Sequence, residues 1–241
     1  MTTTTTTTTS EKELVARHAA HRVKDGMIVG LGTGSTANLF IQELARRRRE
    51  DNLKIVTASS SIISTIKAQE AGLPLISIEH LTRLDLYVDG ADEVAPDLTL
   101  LKGRGADLVR EKLLAQASDM FLVLVDQSKM VDRIGARFPI PVEVLPWAWQ
   151  LVQRRLEALG GRGALRLNAA RDGAAVTSSG NLVLEMIFDA AIGSHALDDL
   201  LNSTPGVIEH GIFCTLTTSV ALAIDGQVQE RFASKPPSKR T

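Results

Sequence analysis

Apolar and polar positions follow two rhythms along this chain. From Glu11 to Asp25 the apolar residues recur at helical spacing, and Met27-Ile28-Val29-Gly30-Leu31 is continuously apolar, as in a strand buried on both faces. The same alternation then repeats. It predicts a helix over Thr36 to Arg49, a strand over Lys54 to Ala58 and a helix over Ile62 to Ala71. Strands are expected at Pro74 to Ile78 and Leu84 to Val88, a helix at Asp107 to Ala117 and a strand at Met120 to Val125. Continuous apolar strands alternating with amphipathic helices predict a mostly parallel, Rossmann-like α/β sheet covered on both faces.

Near Gly135 the rhythm changes. Phe138 to Pro146 is a proline-punctuated strand, which favours an edge position or a domain crossing. A helix over Trp147 to Leu159 follows, then strands at Ala164 to Asn168 and Leu182 to Phe188 and a short helix at Ala196 to Asn202. This β-α-β-β-α pattern predicts a smaller, ferredoxin-like α+β domain inserted into the first. Strands at Val207 to Cys214 and Ser219 to Ile224 are expected to rejoin the first sheet. The resulting division is 11–134 plus 207–233 for the sheet domain and 135–206 for the insert. Residues 1–10, mostly threonine, and 234–241, polar and proline-bearing, are predicted to be disordered tails.

Composition narrows the function classes. A net charge of −1 gives no overall attraction to nucleic acid or acidic membranes. The run Arg46 to Arg49 suits a helix C-terminus. No apolar stretch approaches the roughly 18 residues of a membrane span, and the threonine-rich start does not resemble a secretory signal, so a cytoplasmic location is expected. The single cysteine, Cys214, rules out an intramolecular disulfide framework and reads as a small buried hydrophobe. The histidines at 18, 21, 80, 195 and 210 show no metal-ligand spacing.

Three segments carry candidate chemistry. Gly30-Leu31-Gly32-Thr33-Gly34-Ser35-Thr36 joins a strand to a helix, where backbone N–H groups and the helix dipole favour an anion. Serine occupies the last glycine position of a dinucleotide fingerprint, and Thr57-Ala58-Ser59-Ser60-Ser61 offers no acid for a ribose hydroxyl. The loop therefore suits a phosphate monoester better than NAD.

Tyr87-Val88-Asp89-Gly90-Ala91-Asp92-Glu93 brings carboxylates to a strand end. Asp89 and Asp92 point into one pocket if the turn begins a helix; an Asx-turn and a Mg²⁺ site are the competing readings. In Lys102-Gly103-Arg104-Gly105 the glycines permit close backbone approach and the lysine neutralises an oxyanion. By spacing alone Glu111 reads as a solvated helix residue and Lys129 as a loop lysine.

Taken in order, these segments, with Arg110-Glu111-Lys112, Phe138-Pro139-Ile140-Pro141-Val142-Glu143-Val144, Gly180-Asn181 and Pro205-Gly206-Val207, resemble type A ribose-5-phosphate isomerases over roughly residues 11 to 230. The resemblance implies interconversion of D-ribose 5-phosphate and D-ribulose 5-phosphate without cofactor or metal, by a homodimer or homotetramer. It implies that Glu111 is the general base, that Asp89 assists ring opening, and that Asp92 and Lys102 hold hydroxyls and stabilise the oxyanion. Thr33, Gly34, Ser35, Thr36, Gly90, Ala91, Gly103, Arg104, Gly105 and Lys129 would complete the substrate site. Arg104 departs from the family's glycine. The segment 214–220 lacks an acid common there, which bears on packing or subunit contacts. The competing class is a non-catalytic sugar-phosphate-binding regulatory domain, which would need the phosphate loop but not Glu111.

Overall fold

A computed structural model describes residues 10–105 and 107–234. The threonine run to Thr9, the end of the chain from Lys235, and Ala106 lie outside the described residues. Ser10, assigned above to the tail, instead caps the first helix, α1 (Glu11–Arg22). Its hydroxyl accepts from the Glu13 N–H at 3.3 Å while Glu13 reaches back to the Ser10 N–H at 3.1 Å, a capping box.

The larger sheet follows from the apolar strands. In chain order it contains β1 (Ile28–Leu31), β2 (Val56–Ser59), β3 (Leu84–Asp89), β6 (Ser118–Asp126), β12 (Ser219–Ile224) and β13 (Gln227–Phe232), with β4, β5 and β7 to β11 elsewhere. Its spatial order is β13-β12-β6-β3-β1-β2, parallel throughout except at the β13 edge. Alternate residues supply two cores. Leu86, Val88, Leu122, Leu124, Ala221 and Ala223 face α1 and α2 (Ser35–Glu50). Tyr87, Phe121, Val123, Val125, Val220 and Leu222 pack on the other side with Leu108 and Leu114 of α4 (Leu108–Ala117). After β1 the chain passes to β2 on one side, then returns to place β3 on the other. The carboxyl ends of β1 and β3 therefore diverge around a crevice, the position at which open α/β sheets bind ligands.

The second sheet has four strands, β7 (Ile140–Val144), β8 (Arg162–Leu165), β9 (Leu182–Ile187) and β10 (Val207–His210), in the order β10-β7-β9-β8. Helices α5 (Trp149–Ala158) and α6 (Ser194–Asn202) complete this antiparallel α+β unit. A small third sheet joins β4 (Glu93–Val94) and β5 (Leu100–Leu101), which fall between β3 and β6 in the chain, to β11 (Ile212–Phe213), which falls between β10 and β12.

Several expectations are corrected. The proline-bearing β7 is internal rather than an edge, because Pro141 sits just past the last rung of β10. Its carbonyl accepts from the Gly211 N–H at 2.8 Å there, and the missing donor falls where the partner strand has ended. Val207–His210 pairs with β7 and Ile212–Phe213 with β5, so only Ser219–Ile224 of that expected pair joins the large sheet. Pro74 to Ile78 makes a single bridge, Leu75 to Thr57, before a 3-10 turn at Ile78–His80. The turn after Asp89 begins no helix; it enters β4. The short strands β4 and β5 and the amphipathic edge β13 were not expected from the pattern.

Candidate active site

At the crevice, Gly32 and Gly34 shape the first wall. A Cβ on Gly32 would lie 2.1 Å from Asp89 Oδ1, so only glycine lets the two loops close on each other. Gly34 has φ +109°, a conformation that frees the backbone to turn into α2 with its first N–H groups facing outward. Thr33 is fixed behind them. Its N–H donates to Asp89 Oδ1 at 3.0 Å, and its hydroxyl donates to Ser61 Oγ at 2.7 Å. Lys12 of α1, a residue the sequence reading missed, meets Ser35 Oγ at 2.9 Å across 23 residues of chain. Only the packing of α1 beside α2 reveals it.

The second wall is built on Lys102. Its ammonium donates to Asp89 Oδ2 at 2.9 Å and to the Gly90 carbonyl at 2.7 Å, and lies 3.4 Å from Glu111 Oε2. Asp89 also accepts from the Gly90 N–H at 2.7 Å and the Tyr87 hydroxyl at 2.5 Å, so both its oxygens are engaged. Burial opposes the Lys102 charge, but Asp89 and Glu111 outweigh it and the ammonium titrates above its ordinary range. Glu111 is buried in the first turn of α4, and its Oε2 has no hydrogen-bond partner among the described residues. Burial pushes its carboxyl up to about 7, against the opposing pull of Lys102. Asp92 is raised as well, through burial, against the opposing pull of the Lys102 and Arg104 charges.

These residues line one cavity of about 520 Å³. Thr33, Gly34, Ser35, Thr36, Gly90, Ala91, Asp92, Lys102, Gly103, Arg104, Gly105, Glu111 and Lys129 all reach its wall, together with Lys12, Leu124, Val125, Asp126 and Ser128. Asp89 does not; it lies 1% exposed beneath Lys102. The solvated-helix reading of Glu111 is thus corrected by its position at the cavity floor. Lys129 follows β6 in a 3-10 turn, Gln127–Lys129, with Ser128 N–H donating to Asp126 Oδ1 at 2.9 Å. The Arg104 guanidinium sits 4.3 Å from the Phe138 ring centroid.

The remaining buried carboxylates near the site are structural. Glu93 accepts from the N–H groups of Gly135, Arg137 and Phe138 at 2.6, 2.6 and 2.9 Å, holding the segment under Arg104. Glu143 accepts from the Thr177 hydroxyl at 2.8 Å and from Asn181 Nδ2 at 2.9 Å, which accounts for Asn181 after the Gly180 turn. Among the described residues no group of His, Cys, Asp and Glu side chains is arranged to hold a metal ion, and no helix is long and apolar enough to cross a membrane.

Known proteins are similar to this chain in sequence and fold. A family model described as ribose 5-phosphate isomerase A (phosphoriboisomerase A) matches residues 56–226, and a DeoR C terminal sensor domain model matches residues 7–79. A ribose-5-phosphate isomerase A of Thermosynechococcus vestitus is 44% identical over 223 residues, covering 91% of this chain and 94% of the relative. One from Synechococcus sp. strain CC9605 is 46% identical over 211 residues, covering 87% and 88%. The solved ribose 5-phosphate isomerase A of Methanocaldococcus jannaschii superposes with a TM-score of 0.87 at 37% identity, over 92% of this chain and 98% of that one. A D-ribose-5-phosphate isomerase in complex with phospho-erythronic acid superposes with a TM-score of 0.88 at 34% identity, over 92% and 97%. Matched over most of its length by the family model and by these relatives, the chain belongs to the ribose 5-phosphate isomerase A family.

Proposed function

We propose that this chain interconverts D-ribose 5-phosphate and D-ribulose 5-phosphate, with Glu111 as the base. The observation that carries the reading is the buried Glu111 carboxyl beside Lys102, raised to about 7 and left without a hydrogen bond on Oε2. A base with that pKa is half-ionised near neutrality, where proton transfer at carbon is most effective. The phosphate is held at the N-terminus of α2 by Ser35, Thr36 and Gly34, with Lys12 and Lys129 supplying positive charge across the cavity.

Glu111 removes the proton at C2 of the open-chain aldose, and its electron pair forms the C1–C2 double bond of a cis-enediolate. The proton returns to C1, while the O2 proton passes to O1, so a ketose forms with no net change in atoms or electrons. Lys102 balances the charge that develops on the oxygens. Asp92 and the backbone at Gly90, Ala91, Gly103, Arg104 and Gly105 orient the hydroxyls. Asp89 assists ring opening by holding Lys102 and Thr33 in place.

In the same reading the protein works in the cytoplasm as a homodimer or homotetramer, with residues 135–206 as an inserted unit. The exposed Ile62, Ile63, Trp147 and Leu151 supply apolar surface for assembly.

The test is conversion of ribose 5-phosphate with EDTA present, comparing wild type with Glu111→Gln. Activity in wild type and a loss of at least about 10³-fold in the variant are expected, with phospho-erythronic acid inhibiting competitively. A dependence on added metal, or a variant near wild type, would overturn the mechanism. A second reading, a non-catalytic sugar-phosphate-binding regulatory domain, draws on the sensor-domain match, which stops at residue 79, before Asp89, Lys102 and Glu111. Ligand binding without turnover in wild type would favour it.

A further inference from the structure

The backbone between Lys102 and α4 carries cavity-lining groups, yet two side chains of the four-stranded unit secure it from behind. Arg166, just past β8, donates from Nη1 to the Gly103 carbonyl at 3.0 Å, with a longer contact to the Arg104 carbonyl at 3.4 Å. Its Nε is anchored on Glu185 Oε1 of β9 at 2.9 Å, so the guanidinium is fixed to the sheet before it reaches the loop. At the other end, the Ser178 hydroxyl donates to Asp107 Oδ1 at 2.7 Å. Asp107 is the N-cap residue of α4, but its side chain makes no cap hydrogen bond.

A trans peptide points its C=O and N–H in opposite directions. Drawing the Gly103 carbonyl toward Arg166 therefore turns the Arg104 N–H the other way, toward the cavity wall that Arg104 shares with Asp92. Fixing Asp107 likewise sets the start of the helix that carries Glu111.

We propose that Arg166 and Ser178 are positioning residues for the isomerisation, clamping both ends of the loop between Lys102 and Glu111 from the four-stranded unit. Neither touches the cavity wall; they act through Gly103, Arg104 and Asp107. The clamp rests on the function proposed above. It sets the geometry at the C1–C2 end of the sugar and leaves the phosphate end, built on α2, untouched.

The experiment uses the full chain as wild type, Arg166→Met, Ser178→Ala and Ser178→Thr. It reads kcat and KM for ribose 5-phosphate, inhibition by inorganic phosphate and by phospho-erythronic acid, and the folded fraction by urea unfolding. Arg166→Met is expected to lower kcat about 10- to 100-fold, because misplacement of the order of 1 Å has that effect. Phospho-erythronic acid should weaken while inorganic phosphate inhibits as in wild type. Ser178→Ala should lose rate, and Ser178→Thr, which keeps the hydroxyl, should recover it. Because Ser178 is exposed, its variants remain informative if Arg166→Met does not fold. Variants with wild-type kcat and KM per folded molecule, whatever their stability, would overturn the clamp alone. So would equal weakening of both inhibitors. A wild type without isomerase activity would overturn the functional reading and the clamp with it.

Discussion

Replacing Glu111 with glutamine should stabilise the protein at alkaline pH while removing its activity. The carboxyl is raised from an ordinary 4.5 to about 7, chiefly by burial. A group whose pKa is higher in the folded state contributes stability fully below its unfolded pKa and loses it as pH rises through the folded one. Between those values the unfolded chain has released a proton that the folded protein still holds, so wild-type stability falls as pH rises and then levels off above about 7. At about 1.4 kcal/mol per pH unit, the loss from 4.5 to about 7 amounts to about 3 kcal/mol. Glutamine cannot ionise and resembles the protonated acid in shape, and Lys102 keeps its contact with Asp89 at 2.9 Å. Urea unfolding of both proteins at about pH 5 and about pH 8 isolates this contribution, since other titrating groups cancel in the difference. The variant should match wild type within about 1 kcal/mol at the lower pH and exceed it by about 2–3 kcal/mol at the higher. A stability difference independent of pH, or a variant less stable at the higher pH, would refute the burial argument and the titration assigned to Glu111.

Two further outcomes follow from the same contacts. In wild type, kcat/KM should fall as pH drops through about 7, where Glu111 takes up a proton; because Lys102 holds that value down, Lys102→Met should move the midpoint of the pH–rate profile upward as well as lowering its plateau. Gly32→Ala places a Cβ 2.1 Å from Asp89 Oδ1, so it should destabilise by about 1–3 kcal/mol in urea unfolding and reduce kcat by displacing the anchor of Lys102.

The periodicity carried much of the fold, because strands covered on both faces are continuously apolar and leave an unambiguous signal at β1, β3 and β6. Short or exposed strands were hidden. β4 and β5 are two residues each, and β13 is an edge whose alternate residues are exposed. Pro141 misled because a missing N–H excludes a central position only where a partner carbonyl faces it, and β10 has ended at that point. In the site, the phosphate end was legible from glycines between a strand and a helix. Lys12 was not, since α1 meets α2 only in three dimensions. Spacing had no access to the burial of Glu111; the motif order brought it forward, and the cavity geometry gives the physical reason.

Comparing the buried carboxylates around the cavity distinguishes those that hold the fold from the one available for chemistry. Burying a charge is costly unless donors replace the water it loses. Glu93 has three backbone N–H donors, Glu143 a hydroxyl and an amide, and Asp89 two backbone N–H groups, a phenol and an ammonium. Asp89 and Glu93 accept on both oxygens, so any further partner must displace an existing one. Glu143 accepts both of its hydrogen bonds on Oε1 and is itself raised by burial, but it does not reach the cavity wall. Glu111 is buried to a similar degree, but its Oε2 has only Lys102 at 3.4 Å. An incompletely solvated carboxylate holds its proton more tightly, and that same deficit makes it a stronger base toward a substrate carbon placed beside it. The instability that Glu111→Gln should relieve and the proton transfer it should abolish therefore have one physical origin.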